Sequence, residues 1–147
     1  MSIEIIEAGI AQLEEVANLF NQYRVWYHQQ SDLDGARNFL KERMSNGESK
    51  IFLALIDGKP AGFVHLYPIF TSVGMRRAWL LNDLFVNEHH RGSGIATMLL
   101  EKAKELGRGN ESRWLMLQTD NGNLQAQQLY RKNGWTQIPD MFFQYTL

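Results

Sequence analysis

The stretch from Leu80 to Leu106 constrains this chain most, because it joins an apolar run, a basic glycine loop and an amphipathic segment without interruption. Its centre reads Arg91-Gly92-Ser93-Gly94-Ile95-Ala96. Leu84-Phe85-Val86 comes before it, and Leu99, Leu100, Ala103 and Leu106 follow at helical spacing. That order predicts a strand entering a helix through a turn whose glycines free the backbone. At such a joint the first helical N–H groups lack an intrahelical acceptor and the macrodipole adds partial positive charge, so the loop suits an anion such as phosphate. A Walker loop needs Lys-Ser or Lys-Thr after its last glycine, where Ile95-Ala96 stands. A dinucleotide fingerprint needs a third glycine and an early place in a βαβ unit, and this loop lies past the middle of the chain. Taken alone, the loop is compatible with anion binding and with a glycine-rich turn that holds nothing.

The flanking segments read as the rest of one domain, residues 1–147. A short strand is expected near Glu4-Ile5-Ile6, and Leu13, Val16, Ala17, Phe20, Tyr23 and Tyr27 recur at helical steps. A second helix is expected from Ser31, with Asp34 in a capping-box position, burying Phe39, Leu40 and Met44 and stopping at Asn46-Gly47. Ile51 to Ile56, the turn Asp57-Gly58 and a return from Ala61 to Tyr67 read as a hairpin. A loop from Thr71 to Arg77 then leads into the run Trp79 to Val86. Beyond the glycine loop, Gly107 is placed to end the helix and Trp114 to Gln118 reads as a strand. Leu124 to Lys132 reads as a short helix closed by Asn133-Gly134, and Met141 to Thr146 as a final strand. The expected order is β-α-α-β-β-β-α-β-α-β, an α/β (α+β) chain.

Charge and composition exclude several functions. A formal net charge of -1 argues against a protein held to nucleic acid by phosphate contacts. The absence of cysteine removes disulfides, thiolate metal sites and a cysteine nucleophile. The four histidines form no His-x-x-x-His pair, and no metal is expected. No apolar run approaches the length of a membrane span, and Met1-Ser2-Ile3-Glu4 does not open like a signal peptide, so a cytoplasmic protein is expected.

Two segments carry a resemblance. Leu84-Phe85-Val86-Asn87-Glu88-His89-His90-Arg91-Gly92-Ser93-Gly94-Ile95-Ala96 resembles the cofactor motif of the GNAT N-acetyltransferase superfamily, Arg-x-x-Gly-x-Gly/Ala. Asn123, Ala126, Tyr130 and Gly134-Trp135 match the spacing of a later helix of that family. The resemblance implies the acyl-CoA N-acyltransferase fold, a mixed, mostly antiparallel sheet flanked by helices. It further implies acetyl-CoA as co-substrate, with the pantetheine arm along Leu84, Phe85 and Val86, the pyrophosphate on Arg91 through Thr97, and a further contact from Asn123. A homodimer is expected on the same ground. The residues themselves also allow Leu84 to Val86 to be only a buried strand, and Asn121-Gly122-Asn123 to be only a helix cap.

In that family an amine attacks the thioester directly. An amine of pKa about 10.4 is neutral in only about four molecules per ten thousand at pH 7, so a proton acceptor is required. Asp83 is the acidic candidate in the central strand, able to attract the ammonium and pass protons through water; His65, on the neighbouring expected strand, is placed second. Tyr130 can protonate the departing thiolate, because a phenol of pKa about 10 is protonated at neutral pH. By spacing alone, Tyr130 is equally an amphipathic core residue.

Gly62-Phe63 through Val86 is also similar to the diamine and polyamine acetyltransferases. Those relatives carry adjacent acidic residues where this chain has Asn82-Asp83, so one charge is missing. Tyr23, Trp26, Tyr27 and Tyr67 could line an acceptor cleft through their ring faces or simply fill the core. The expected acceptor is a small-molecule amine. The alternatives are a protein lysine or N-terminal amine, or a CoA-binding module without chemistry.

Overall fold

The computed structural model describes residues 1–147. Strands β1 (Ile3–Glu7), β2 (Lys50–Ile56), β3 (Lys59–Thr71) and β4 (Arg76–Val86) pair antiparallel in succession, and β5 (Leu115–Leu117) joins β4 in parallel. The sheet order is therefore β1-β2-β3-β4-β5. Helices α1 (Leu13–Trp26) and α2 (Leu33–Ser45) follow β1, α3 (Ile95–Gly109) makes the crossover that a parallel pair requires, and α4 (Leu124–Lys132) follows β5. No helix is long and apolar enough to cross a membrane.

Alternation along the central strands sends side chains to both faces of the sheet, and a helical layer covers each face. Ile51, Leu53, Phe63 and Phe85 pack with Val16, Ala17 and Leu40 of α1 and α2. Ala54, Val64, Leu66, Trp79 and Leu81 pack with Leu99, Leu100 and Ala103 of α3. Each fully buried large apolar side chain contributes roughly 1.5–3 kcal/mol, so these two clusters hold the helices to the sheet.

One irregularity decides where the chemistry can sit. His65 pairs with Asp83, but the next residue, Leu66, pairs with Leu81, so Asn82 is an extra residue in β4. A bulge of this kind reverses the facing of everything beyond it. Leu81 points to the α3 layer, whereas Phe85, and Asp83 in alternation with it, point to the α1 layer. Pairing of β4 with β5 also ends at Leu81 and Leu117, while β4 continues along β3 as far as Val86. Gly62 permits the close β3–β4 approach here, since a Cβ on it would lie 2.6 Å from the Phe85 carbonyl oxygen.

Several expectations from the sequence are corrected. The hairpin of β3 and β4 is longer than the apolar runs suggested, with Thr71 pairing with Arg76, so the expected Thr71 to Arg77 loop shrinks to a tight turn. Asp32, not Ser31, caps α2, accepting from the Gly35 N–H at 2.9 Å. Phe39 is exposed rather than buried, lying under the Arg43 guanidinium. Gly107 does not end α3 but lies inside it, where a Cβ would come within 3.2 Å of the Leu115 side chain; the glycine lets helix and strand pack closely. The expected final strand, Met141 to Thr146, is absent. Thr136 to Leu147 are exposed and make no backbone hydrogen bond within the chain. Alternating apolar residues suit a strand, but a strand also needs a ladder partner, and this segment engages no edge of its own sheet.

Candidate active site

The glycine loop is an open cradle of backbone donors. Gly92 and Gly94 have φ of 79° and 85°, in the left-handed region where glycine carries no Cβ penalty. Gly94 occupies the N-cap of α3, whose first backbone bond within this turn is the Met98 N–H to the Gly94 carbonyl at 3.1 Å. The N–H groups from Gly92 to Thr97 have no protein acceptor. Nothing lies within 4 Å of a Cβ built on either glycine, so the space before these donors is clear. This arrangement fits a diphosphate.

The side chains of the loop are used by the protein itself. Ser93 Oγ donates to the His90 carbonyl, and Ile95 is buried in the α3 core. Ala96 is half-buried, and Thr97 Oγ1 accepts from Asn133 Nδ2 at 3.3 Å, tying α3 to the end of α4. Arg91 is turned back from the cradle: Nε donates to the Val86 carbonyl at 3.0 Å and the guanidinium lies 4.2 Å from the Trp26 ring centre. Its two terminal nitrogens are unpaired.

Beyond Leu81, one edge of β4 loses its parallel partner, since the pairing with β5 ends at Leu117. Leu84 and Val86 are half-buried on the α3 side, with Leu129, Tyr130 and Trp135 against the same cluster. Burial, with the neighbouring Tyr27 as a lesser cause, holds the Tyr130 phenol above the ordinary tyrosine range, so it stays protonated at neutral pH. Asn123 accepts from the Ala126 N–H at 3.1 Å and so caps α4, and its Nδ2 is free.

On the α1 side of the same strand, Asp83 is 5% exposed. His65, fully buried, sets its Nδ1 3.1 Å from Asp83 Oδ2, though without the alignment of a hydrogen bond. The other His65 nitrogen lies 2.6 Å from Ser49 Oγ, and Asn82 Nδ2 donates to Asp83 Oδ1 at 3.1 Å. Two tyrosines face the carboxylate. Burial and then the Asp83 charge push the Tyr23 phenol far up, and the same two causes push Tyr67 up to about 12. The Tyr67 ring packs edge-on to His65 at 4.5 Å. The structure thus joins Asp83 and His65, which the sequence offered as rivals, into one buried pair. Ser49 is the member that sequence reading missed, and no local pattern could reveal it, because it meets His65 only through the β2–β3 register.

A separate cleft of about 840 Å³ lies between the C-terminal half of α1 and the end of β4, lined by Asn21, Trp26, Phe85, Asn87 and Arg91 among others. Neither Asp83 nor Tyr130 lines it. Phe85 lines this cleft and also lies on the Asp83 face of β4.

A five-stranded sheet covered on both faces, opened where β4 leaves β5 beside an amide cradle, defines an acyl-CoA-type transferase architecture. The chain belongs to the Acetyltransferase (GNAT) family, which residues 11–135 match. It is an acetyl-transferring enzyme of that family, whose members use acetyl-CoA. It is 45% identical over 133 residues to YhfO of Bacillus subtilis (strain 168), an uncharacterised N-acetyltransferase, covering 90% of this chain and 89% of that one. A probable acetyltransferase of Haemophilus influenzae is 34% identical, with 70% of this chain and 71% of that one covered. The crystal structure of a probable acetyltransferase has the same fold, with a TM-score of 0.90 at 36% identity over 98% of this chain and 96% of that one. An aminoglycoside N-acetyltransferase solved with CoA shares the fold at 18% identity and a TM-score of 0.83, with 99% of this chain and 95% of that one covered.

Proposed function

We propose that the chain transfers the acetyl group of acetyl-CoA to a primary amine of a small molecule. The observation that carries this reading is the buried Asp83 carboxylate, turned by the Asn82 bulge to the face opposite Leu81 at the level where β4 parts from β5. A buried anion among tyrosine hydroxyls attracts an ammonium group and accepts its proton once the amine has entered. Acetyl-CoA, when bound, supplies the activated acyl thioester. The amides of Gly92 to Thr97 hold its diphosphate, and the free edge of β4 at Leu84 to Val86 aligns its arm. Arg91 reaches the same phosphates only by leaving Trp26, and Asn123 contributes through its free amide nitrogen. Tyr130 gives its proton to the departing sulfur.

A small acceptor is favoured over a peptide because Asp83 is almost closed from solvent, leaving little room for a polypeptide backbone. The similarity to an Escherichia coli streptothricin acetyltransferase, 26% identical over 68% of this chain and 55% of that one, supports the same choice. The test is thiol release from acetyl-CoA across polyamines, aminoglycosides, amino acids and lysine peptides. Release with small amines and not with peptides is expected. Release only with peptides overturns the acceptor class, and acetyl-CoA binding without release to any amine overturns the enzymatic reading.

A further inference from the structure

His65 is a buried titratable side chain that the acetyl transfer outlined above does not use. It lies within β3 with no exposed surface, between the rings of Phe20 and Tyr67, where an apolar residue is the usual occupant. Both of its ring nitrogens meet polar atoms. Nε2 lies 2.6 Å from Ser49 Oγ, and Nδ1 lies 3.1 Å from Asp83 Oδ2. A chain of contacts thus runs from half-buried Ser49, just ahead of β2, through β3 to the enclosed carboxylate of β4. Tyr23 of α1 and Tyr67 of β3 also face that carboxylate, and Arg43 of α2 acts on Tyr67. Asp83 is paired with no lysine or arginine, so His65 is the basic side chain beside it.

These contacts decide where the ring hydrogen belongs. A bare Nδ1 would set its lone pair against those of an ionised carboxylate in a site closed to water, whereas Nδ1–H gives the carboxylate a donor. Nδ1 and Oδ2 are both buried, and neither has another partner. A hydrogen on Nδ1 meets both needs with a small turn of the carboxylate. Nε2 is then an acceptor, and the Ser49 hydroxyl donates to it. The hydroxyl selects the tautomer, and the tautomer selects the state of the carboxylate.

We infer that Ser49 and His65 are positioning residues for the transfer: Ser49 locks His65 as its Nδ1–H tautomer, and that N–H holds Asp83 turned and ionised for the incoming ammonium group. This deepens, and rests on, the reading of Asp83 as the group that takes the proton of the amine. The same residue types build nucleophile triads, but here the order of use is reversed. The carboxylate end meets the substrate, and the hydroxyl end is the support, so Ser49 forms no bond to the acyl group. One proton moves, from the ammonium nitrogen to the Asp83 carboxylate, and His65 keeps its own throughout.

The experiment is nitrogen NMR of the full chain labelled in histidine, followed by the pH dependence of thiol release from acetyl-CoA with the most active amine of the polyamine, aminoglycoside and amino-acid panel. The spectrum should place the His65 ring hydrogen on Nδ1. In Ser49→Ala that signal should give way to a mixture of tautomers, and Ser49→Thr should keep it. His65→Gln should lower kcat/KM about tenfold, the scale of one hydrogen bond to a charged group. Loss of the N–H donor favours the protonated carboxyl, so the acid limb of the profile should also move up by roughly one pH unit. His65→Asn, whose Nδ2 stands at the level of the ring Nδ1, should recover most of that shift. A ring hydrogen on Nε2, alone or together with one on Nδ1, overturns the inference, and the spectrum decides this even where a variant fails to fold. Equal effects of the Asn and Gln variants mean that His65 only fills space, and they overturn it too. If both leave the limb in place while Asp83→Asn is inactive, Asp83 keeps its role and only this inference falls. An Asp83→Asn enzyme as active as wild type removes both.

Discussion

The two sides of β4 are built by different means. Toward α3 and the glycine loop, the polar groups on offer are backbone amides, free from Gly92 to Thr97, and the side chains around them mostly serve the protein. Toward α1, the polar groups are side chains, Asp83, His65, Ser49, Tyr23 and Tyr67, and they are buried or half-buried. A backbone cradle binds a group common to many reactions without depending on residue identity. A buried side-chain cluster is sensitive to each member, because an ionised group out of water needs its neighbours. Substitutions on the α1 side, and of the Tyr130 hydroxyl across the strand from it, should therefore alter the rate, and those in the glycine loop should alter binding and folding.

The most severe expected effect is that of Asp83→Asn. It removes the one carboxylate of the cluster while keeping its shape, and kcat/KM toward the acceptor should fall about 10³-fold, within the range for loss of a general base. Acetyl-CoA affinity, measured by calorimetry, should stay within about twofold. Equal loss of both would mean that Asp83 supports the fold of β4 rather than the amine.

Tyr130→Phe comes next, with kcat lower by about 10²-fold and acetyl-CoA binding retained, since only one hydroxyl is lost. The sign of its pH dependence follows from burial. Raising the phenol pKa keeps the acid form present to higher pH, so Tyr130 should cause no loss of kcat below about pH 10 in the wild-type enzyme. A falling limb centred near neutrality that disappears in the Phe variant would give the donor a different chemistry from the one argued here.

The same contrast explains what could be read from the sequence. The glycine loop, α3, α4 and the Asp57-Gly58 turn are local patterns, and their residues announce them; at the turn both central residues have positive φ, 48° and 80°. The Asp83 cluster depends on register. Trp79, Leu81, Asp83 and Phe85 alternate in sequence as though they shared one face, and only the extra residue Asn82, visible in the pairing of β3 with β4, divides them. Ser49 and His65 lie sixteen positions apart and meet through the β2–β3 pairing. The misread final strand has the converse cause, a correct local pattern with no partner inside the chain.

On the loop side, Gly94→Ala should weaken acetyl-CoA binding about tenfold with a smaller change in kcat. A Cβ meets no atom there, so the cost is that of a left-handed backbone, about 1–2 kcal/mol, drawn from the cradle geometry. If binding were unchanged, the diphosphate would have to rest elsewhere than on these amides.

Asn123→Ala should have the smallest effect and is the most informative about divided roles. Its side-chain oxygen caps α4, so the loss should lower stability by about 1 kcal/mol, read from denaturant melts. Asn123→Asp keeps a capping oxygen and removes the free amide nitrogen. If that nitrogen touches the cofactor, the Asp variant should melt like wild type yet bind acetyl-CoA several-fold more weakly, with added repulsion toward the phosphates. If the residue serves only the helix, both stability and affinity should be retained, and α4 would then contribute to the site through Tyr130 alone.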